Sequence, residues 1–444
     1  MDIKIPDEVR YIINTLEKSG YEAYAVGGSV RDAVLGKTPK DWDICTSALP
    51  EQAMKCFLGE RVIETGLKHG TISLLQGSET YEITTFRADG IYTDNRRPDM
   101  VTYINDLKGD LSRRDFTINA MAYHPDKGVL DFFGGLPDIN SKTIRCVGNP
   151  EKRFSEDALR IMRALRFSSV LDFSIDKVTS DAISGCRRLL HNIAAERLAA
   201  ELNALIMGSR AGKVLLEYAQ VIGEIIPEIN DMVGFEQNNP HHDLDVWKHT
   251  VKSVDNVPPE LVLRLTMLFH DIGKPRCYTE EDSLGHFHGH PNVSESMAKD
   301  ILLRLRYDSD TIQTVTQLII HHDAELIPNG AHIKRWLNKI GEKRLRQLID
   351  IKRADAMAQS EQFRQAKLSN LEAAKLKVDE IISSQQCFTR KDLAVDGSDL
   401  IAAGVPAGTE VGRILGILLD MVIDEKIEND SQSLLEKVRE NNIR

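Results

Sequence analysis

Near Ser141 the spacing of apolar residues along this chain changes period. Upstream, residues 21–133 carry short β-prone segments at 71–75 and 81–86, glycine turns and a helix starting at Val30, the pattern of a small sheet with flanking helices. Downstream, apolar residues recur at helical intervals over 156–167, 176–186, 194–207 and 213–222, and strand signals nearly vanish. The expected fold class is therefore α+β: a mixed head followed by a mostly α-helical remainder. A length of 444 residues requires several hydrophobic cores rather than one. A loop rich in Asn, Pro and His at 236–243 interrupts the helical part. A charged helix over 363–383, turns around Gly404 to Gly408 and an apolar helix over 411–423 close the chain. These breaks divide it into 1–135, 136–235, 236–360 and 361–444.

Within the head, Gly27-Gly28-Ser29-Val30-Arg31-Asp32 is followed, after an eight-residue gap, by Asp41-Trp42-Asp43. Carboxylates at i and i+2 on a strand face the same way. Two like charges about 4 Å apart repel by roughly 4 kcal/mol at an effective dielectric near 20, so the pair calls for cations. Hard divalent ions with oxygen ligands fit, and Mg²⁺ is usual where phosphates complete the coordination. The triplet alone is a weak signal, because Asp243-Leu244-Asp245 and Asp308-Ser309-Asp310 repeat it. The glycine turn upstream strengthens it, since bare backbone can approach a triphosphate there and Arg31 can meet phosphate oxygens. Glu82, in the 81–86 segment, is a candidate third carboxylate or a structural residue.

The net charge of −11 argues against a polyanionic partner. Residues 142–213 nevertheless hold 13 Lys plus Arg against 8 Asp plus Glu, a local excess of +5 that suggests a basic strip. The six cysteines, Cys45, Cys56, Cys146, Cys186, Cys277 and Cys387, show no paired spacing for zinc or redox work and read as buried thiols. The absence of a membrane-length apolar run and of signal-peptide features near Met1 leads us to expect a cytoplasmic protein with no membrane partner. The sequence carries no signal of oligomeric state.

Five ordered motifs resemble those of the class II tRNA nucleotidyltransferases, the CCA-adding enzymes and bacterial poly(A) polymerases, over nearly the whole chain. They are Gly27-Gly28 through Asp43; Arg113-Arg114-Asp115-Phe116-Thr117-Ile118-Asn119; Asp131-Phe132-Phe133-Gly134-Gly135; Glu156-Asp157-Ala158-Leu159-Arg160 with Arg163 and Arg166; and Ala195-Glu196-Arg197 through Glu201. The resemblance implies a polymerase β-like nucleotidyltransferase head, a helical neck and a tRNA-binding tail that includes Asp392 to Gly404. It implies addition of CCA to a tRNA 3′ end from CTP and ATP, with Asp41 and Asp43 holding Mg²⁺. Gly28, Arg31 and Arg114 would position the nucleotide.

Asp115 and Asn119 stand four apart, one helical turn, and could share a ribose 2′-hydroxyl; the alternative is a helix N-cap with an ordinary polar face. Asp157, Arg160, Arg163 and Arg166 recur at intervals of three, which reads as one guanidinium ridge or as an intrahelical ion-pair ladder with Glu156. In the family, residues matching Asp157 and Arg160 template the base of CTP or ATP. The polar stretch 87–98 resembles the flexible loop that relatives need to switch from C to A addition, and CC-only enzymes lack part of it. An A-adding enzyme or a bacterial poly(A) polymerase is the alternative.

Downstream, His249, His270-Asp271, His290, His321-His322 and Asp355 follow the order of the HD phosphohydrolase superfamily. His249, His270, Asp271 and Asp355 form the expected ligand skeleton. Imidazole with carboxylate suits a transition metal that activates water against a phosphoester. His290, His321 and His322 are candidates for a second metal or a phosphate contact, and His286 and His288 adjoin them. The competing reading is a degenerate HD fold that only holds tRNA. A second alternative makes the chain an HD phosphohydrolase with a vestigial RNA-binding head.

Overall fold

The computed structural model describes residues 3–67, 70–89 and 101–440. Most of the loop expected at 87–98 lies outside the described residues. Contacts divide the chain into two compact units, Met1–Pro227 and Glu228–Arg444.

The first unit opens with α1 (Asp7–Lys18), whose buried Val9, Ile12, Ile13 and Leu16 form the apolar stripe of an amphipathic helix. Its sheet contains β1 (Ala23–Val26), β2 (Asp43–Thr46), β3 (Arg61–Gly66), β4 (Thr71–Gln76) and β5 (Glu79–Thr85). Beyond a separate ribbon of β6 (Arg87–Asp89) and β7 (Val101–Tyr103), β8 (Met121–His124) and β9 (Gly128–Asp131) complete it. The order is β3-β4-β5-β2-β1-β8-β9, antiparallel except for the parallel pair β2 and β5. Central β1 is buried at every position, so it carries a continuous apolar run rather than an alternating one. Tyr24, Val26, Cys45, Phe86, Leu107, Leu111 and Ala122 pack together on the sheet. Flanking it are α2 (Gly28–Val34), α3 (Pro50–Cys56), α4 (Leu107–Ser112) and α5 (Gly135–Asn140).

Helices then take over: α6 (Pro150–Glu156), α7 (Leu159–Leu171), α8 (Lys177–Cys186), α9 (Ala195–Ile206), α10 (Ala211–Glu217) and α11 (Ala219–Ile225). Two expected helices prove to be broken. The one over 156–167 is interrupted at Asp157, which is extended at φ −137° and ψ 102°. The one over 213–222 breaks at Tyr218, with φ −116° and ψ 30°. Asp176 caps α8 by accepting from Thr179 N at 3.3 Å.

The second unit contains α12 (Val246–Asn256), α13 (Leu261–Phe269), α14 (Lys274–Cys277), α15 (His290–Arg304), α16 (Ser309–His321) and α17 (Gly330–Ala358). A short hairpin, Thr279–Glu281 with Leu284–His286, interrupts the helical pattern. Next, α18 (Glu361–Ser383) packs along α17. The last helices are α19 (Gly397–Ala402), α20 (Thr409–Ile423) and α21 (Ser431–Arg439). Leu400, Leu418, Ile423 and Leu434 anchor the terminal core. Among the described residues no helix is long and apolar enough to cross a membrane. Cys45, Cys146 and Cys387 are buried as expected, whereas Cys56, Cys186 and Cys277 are only half-buried.

Candidate functional site

Asp43 opens β2 and Asp41 lies just before it, with the intervening Trp42 buried and both carboxylates exposed. This is the alternation that period two requires. In the register of the sheet, Asp43 pairs with Val26 on β1 and with Glu82 on β5. Residues paired across neighbouring strands share a face, so Glu82 joins the two aspartates. Desolvation raises Asp43 above its ordinary value, Arg114 opposes the shift and Asp41 adds to it. Glu82 is raised by desolvation and then by Asp43 and Asp41. Glu82 therefore feels both aspartates and Asp43 feels Asp41, a clustering of negative charge that favours gathering a divalent ion.

Gly27 turns the chain at φ 80° and ψ −136°, where an L side chain is strained. A Cβ there would also come within 2.8 Å of Arg114 Nη1 and 3.8 Å of Asp43 Oδ2. The turn thus lets Arg114 and Asp43 lie against bare backbone. Together these groups border a cleft of 670 Å³, which Lys37, Thr38, Lys40, Arg163, Arg166 and Phe167 also line.

A hydrogen-bonded relay crosses the cleft. Arg31 Nη1 donates to Asn119 Oδ1 at 2.6 Å, and Asn119 Nδ2 donates to Asp115 Oδ1 at 3.1 Å. Asp115 Oδ2 accepts Arg163 Nε at 2.8 Å. Burial alone would raise Asp115, but Arg163 and Asn119 outweigh it and hold the carboxyl at about 2. Glu201 on α9 takes Arg166 Nε at 2.8 Å and lies 3.9 Å from Arg163 Nη1.

In the second unit, five helical segments bring six ligand-type residues together. His249 comes from α12, His270 and Asp271 from the end of α13, His290 from the start of α15, His322 from the end of α16 and Asp355 from α17. They form two sets, His249 with His270 and Asp355, and Asp271 with His290 and His322; within each set the ligand atoms lie within 4.8 Å of one another. Asp271 adjoins both sets. Its Oδ2 lies 3.5 Å from His249 Nε2 and 3.2 Å from His270 Nε2, and its Oδ1 lies 3.4 Å from His290 Nε2 and 3.7 Å from His322 Nε2. Nδ1 of His270, His290 and His322 each meets the carbonyl three residues back, of Met267, Phe287 and Ile319, at 2.7 to 2.9 Å. Those contacts fix the rings with Nε2 inward, the orientation that metal-ligating histidines need. Nε2 of His249 and His270 and Oδ2 of Asp271 are buried without a well-directed hydrogen bond. Burial opposes charge on His270, but Asp271 and Asp355 carry it up to about 10. A cavity of 330 Å³, lined also by His241, His242, Lys274, His286, His288 and Lys367, opens onto the cluster.

Residues 23–145 match the poly A polymerase head domain, 172–232 the RNA and SrmB-binding site of polymerase A, and 279–438 tRNA nucleotidyltransferase domain 2. The chain is 34% identical to the CCA-adding enzyme of Levilactobacillus brevis over 440 residues, covering 98% of each. It is 32% identical to that of Enterococcus faecalis, covering 97% of this chain and 96% of the other. This chain belongs to the CCA-adding enzyme family, the class II tRNA nucleotidyltransferases. A solved member, the Bacillus stearothermophilus CCA-adding enzyme in complex with CTP, superposes with a TM-score of 0.70 at 28% identity, over 99% of this chain and 98% of that one. The Thermotoga maritima CCA-adding enzyme complexed with tRNA shares the fold, with a TM-score of 0.64 at 20% identity over 99% and 95% of the two chains.

In this family member, Asp41, Asp43, Gly28, Arg31, Arg114, Asp115, Asn119, Arg163 and Arg166 all line the one cleft. Asp157 and Arg160 are not among its lining residues. The single ridge expected for Asp157 to Arg166 does not form. Asp157 precedes α7, where its Oδ1 accepts Leu159 N at 3.1 Å and its Oδ2 meets Arg197 Nη2 at 3.4 Å. Steps of three on α7 also turn each arginine about 60° from the last, so Arg160 and Arg166 diverge. Arg160 bonds Glu156 Oε2 at 2.8 Å and the carbonyls of Arg153 and Arg113 at 3.0 Å. Asp115 and Asn119 do not share an α-helical turn either; a 3₁₀ turn, Thr117–Asn119, brings them together. His290 and His322 join the second cluster, whereas His321 packs on the Trp336 ring at 5.1 Å. Phe167, Lys37 and Lys40 were not singled out from the sequence, and Glu201 appeared there only as the end of a motif, without a partner. Phe167 looks like a core position on an amphipathic helix, but the two lysines were visible beside Asp41.

Proposed function

We propose that this nucleotidyltransferase adds CCA to the 3′ end of tRNA from CTP and ATP. The observation that carries the reading is the alignment of Asp41 and Asp43 beside the Gly27 turn, at the border of a cleft that also presents Arg31, Arg114, Arg163 and Arg166, with Glu82 in register beside Asp43 on the neighbouring strand. Asp41 and Asp43 would hold Mg²⁺, with Glu82 as the third carboxylate. When bound there, the ion supplies Lewis-acid polarisation of the α-phosphate and lowers the pKa of the attacking hydroxyl. The tRNA 3′-oxygen forms a bond to the α-phosphorus as the bond to pyrophosphate breaks. Arg31, Arg114 and the Gly28 backbone hold the triphosphate. Asn119 keeps a second Nδ2 hydrogen beyond its bond to Asp115, and with it meets the ribose 2′-hydroxyl, while Asp115, already accepting from Phe116 N, Asn119 and Arg163, holds Asn119 in place. Asp157 and Arg160 template the base once Arg160 exchanges its present partners for the base edge. In this reading residues 1–135 are the catalytic head, 136–235 the neck that selects nucleotides and 361–444 the tail that grips tRNA.

A tRNA lacking CCA, incubated with CTP and ATP and resolved on a gel, is expected to gain three nucleotides, and D41N/D43N protein none. A long A tract would replace this reading with poly(A) synthesis.

A second centre, in residues 236–360, is favoured by the convergence of His249, His270, Asp271, His290, His322 and Asp355. The donor set fits borderline transition ions better than Mg²⁺, and Asp271, placed between the two sets, suits a bridging carboxylate. Lys274, 2.8 Å from Asp271 Oδ2, and Lys367 line the cavity with Asp271, Asp323 and Asp355, so ions held by the cluster would supply the positive charge that draws a phosphoester. Metal content of purified protein should fall in an H270A/D271A variant; equal content in both would remove this reading.

A further inference from the structure

We propose that Phe167 is a positioning residue whose ring gathers three guanidinium groups into a preformed cradle for the triphosphate of the incoming nucleotide. The proposal rests on the nucleotide-binding reading of the cleft. Phe167 lies on α7, 7% exposed, and lines the cleft. The guanidinium carbons of Arg166, Arg31 and Arg163 stand 4.2, 5.1 and 5.4 Å from its ring centroid, all within cation–π range. Arg163 and Arg166 come from the same helix, one turn and one residue before Phe167, whereas Arg31 reaches it from α2. The edge-on Phe116 ring, 5.8 Å away, fixes the orientation of Phe167.

The choice of a ring matters chemically. Each arginine already has a carboxylate beside it: Asp32 for Arg31, Asp115 for Arg163 and Glu201 for Arg166. A carboxylate holds a guanidinium but competes with phosphate for its charge and its hydrogens. An aromatic face attracts the same cation through its quadrupole without neutralising it and without occupying an N–H. Phe167 therefore keeps three like charges near one another while leaving their donors available to an anion. Without the ring face, only the three carboxylates would hold the guanidinium groups, nothing would draw the three like charges towards one another, and the cradle would have to assemble at the expense of binding.

The test replaces the face without changing the packing. Phenylalanines bearing one, two and three ring fluorines are placed at position 167 of the full-length protein, and binding of tripolyphosphate without Mg²⁺ is measured by calorimetry. Affinity is expected to fall stepwise with fluorination while the melting temperature stays constant. F167L should weaken tripolyphosphate about five- to thirtyfold and raise KM for CTP and ATP alike with little change in kcat; F167Y should restore both. Affinity that is flat across the fluorinated series would overturn the proposal and reduce Phe167 to packing, whether or not F167L folds. Wild-type protein that binds neither tripolyphosphate nor CTP with Mg²⁺ would instead remove the nucleotide-cleft reading itself.

Discussion

Asp115 is buried at the centre of the cleft relay, and its chemistry follows from its neighbours rather than from its type. Its carboxyl is held at about 2 against an ordinary 3.8, so the folded state binds its proton less readily than the unfolded chain does. The resulting stabilisation is complete above about pH 4 and is lost as pH falls towards 2, amounting to about 2 kcal/mol. Urea unfolding of wild type and D115N should therefore converge over that window; curves that stay parallel would show that the Arg163 pair contributes nothing. Arg160 is fixed in the opposite way, by Glu156 and two backbone carbonyls. If it selects the base, R160A loses a contact that discriminates by about 1 to 3 kcal/mol. The ratios of kcat/KM among the four nucleoside triphosphates should flatten by about five- to 150-fold, and unchanged ratios would remove Arg160 from selection.

The elements show why some expectations failed. The break at Asp157 is invisible to periodicity because Ser155-Glu156-Asp157-Ala158 contains neither Gly nor Pro. Only the pull of Arg197 on α9, together with the bond from Leu159 N, identifies Asp157 as a capping position. A comparable break in α17 lies at Gly341, where φ is 78° and ψ 164°. An added Cβ meets nothing within 4 Å there, so the cost of a side chain is purely conformational. G341A should destabilise the second unit by about 1 to 3 kcal/mol, read as a lower urea midpoint at constant slope. A midpoint equal to wild type would mean that the break is not needed. Asp355 lies beyond this break on the same helix, so the bend belongs to the geometry that brings it to His249 at 2.8 Å.

At the scale of the whole molecule, two units with separate cores carry the two clusters of acidic and imidazole ligands. An ion that binds only the folded form stabilises it by RT ln(1 + [L]/Kd), about 2.7 kcal/mol at one hundred times Kd. Removing transition metal with EDTA should therefore lower the calorimetric transition of Glu228–Arg444. The D271N variant should already melt low and ignore the chelator. An equal response of wild type and D271N would separate the thermal effect from the histidine cluster.

The α+β order and the shared face of Asp41 and Asp43 were legible in the sequence itself, because periodicity and a two-residue spacing convert directly into geometry, whereas most residues of the second cluster were legible only as candidates, by residue type and order. Tertiary structure alone decided that Glu82 stands beside Asp43, that Asp271 adjoins two histidine sets, that His322 rather than His321 turns inward, and that three arginines meet on Phe167. Those partners are far apart in the chain or on different elements. No local propensity encodes their meeting; strand register and helix packing do.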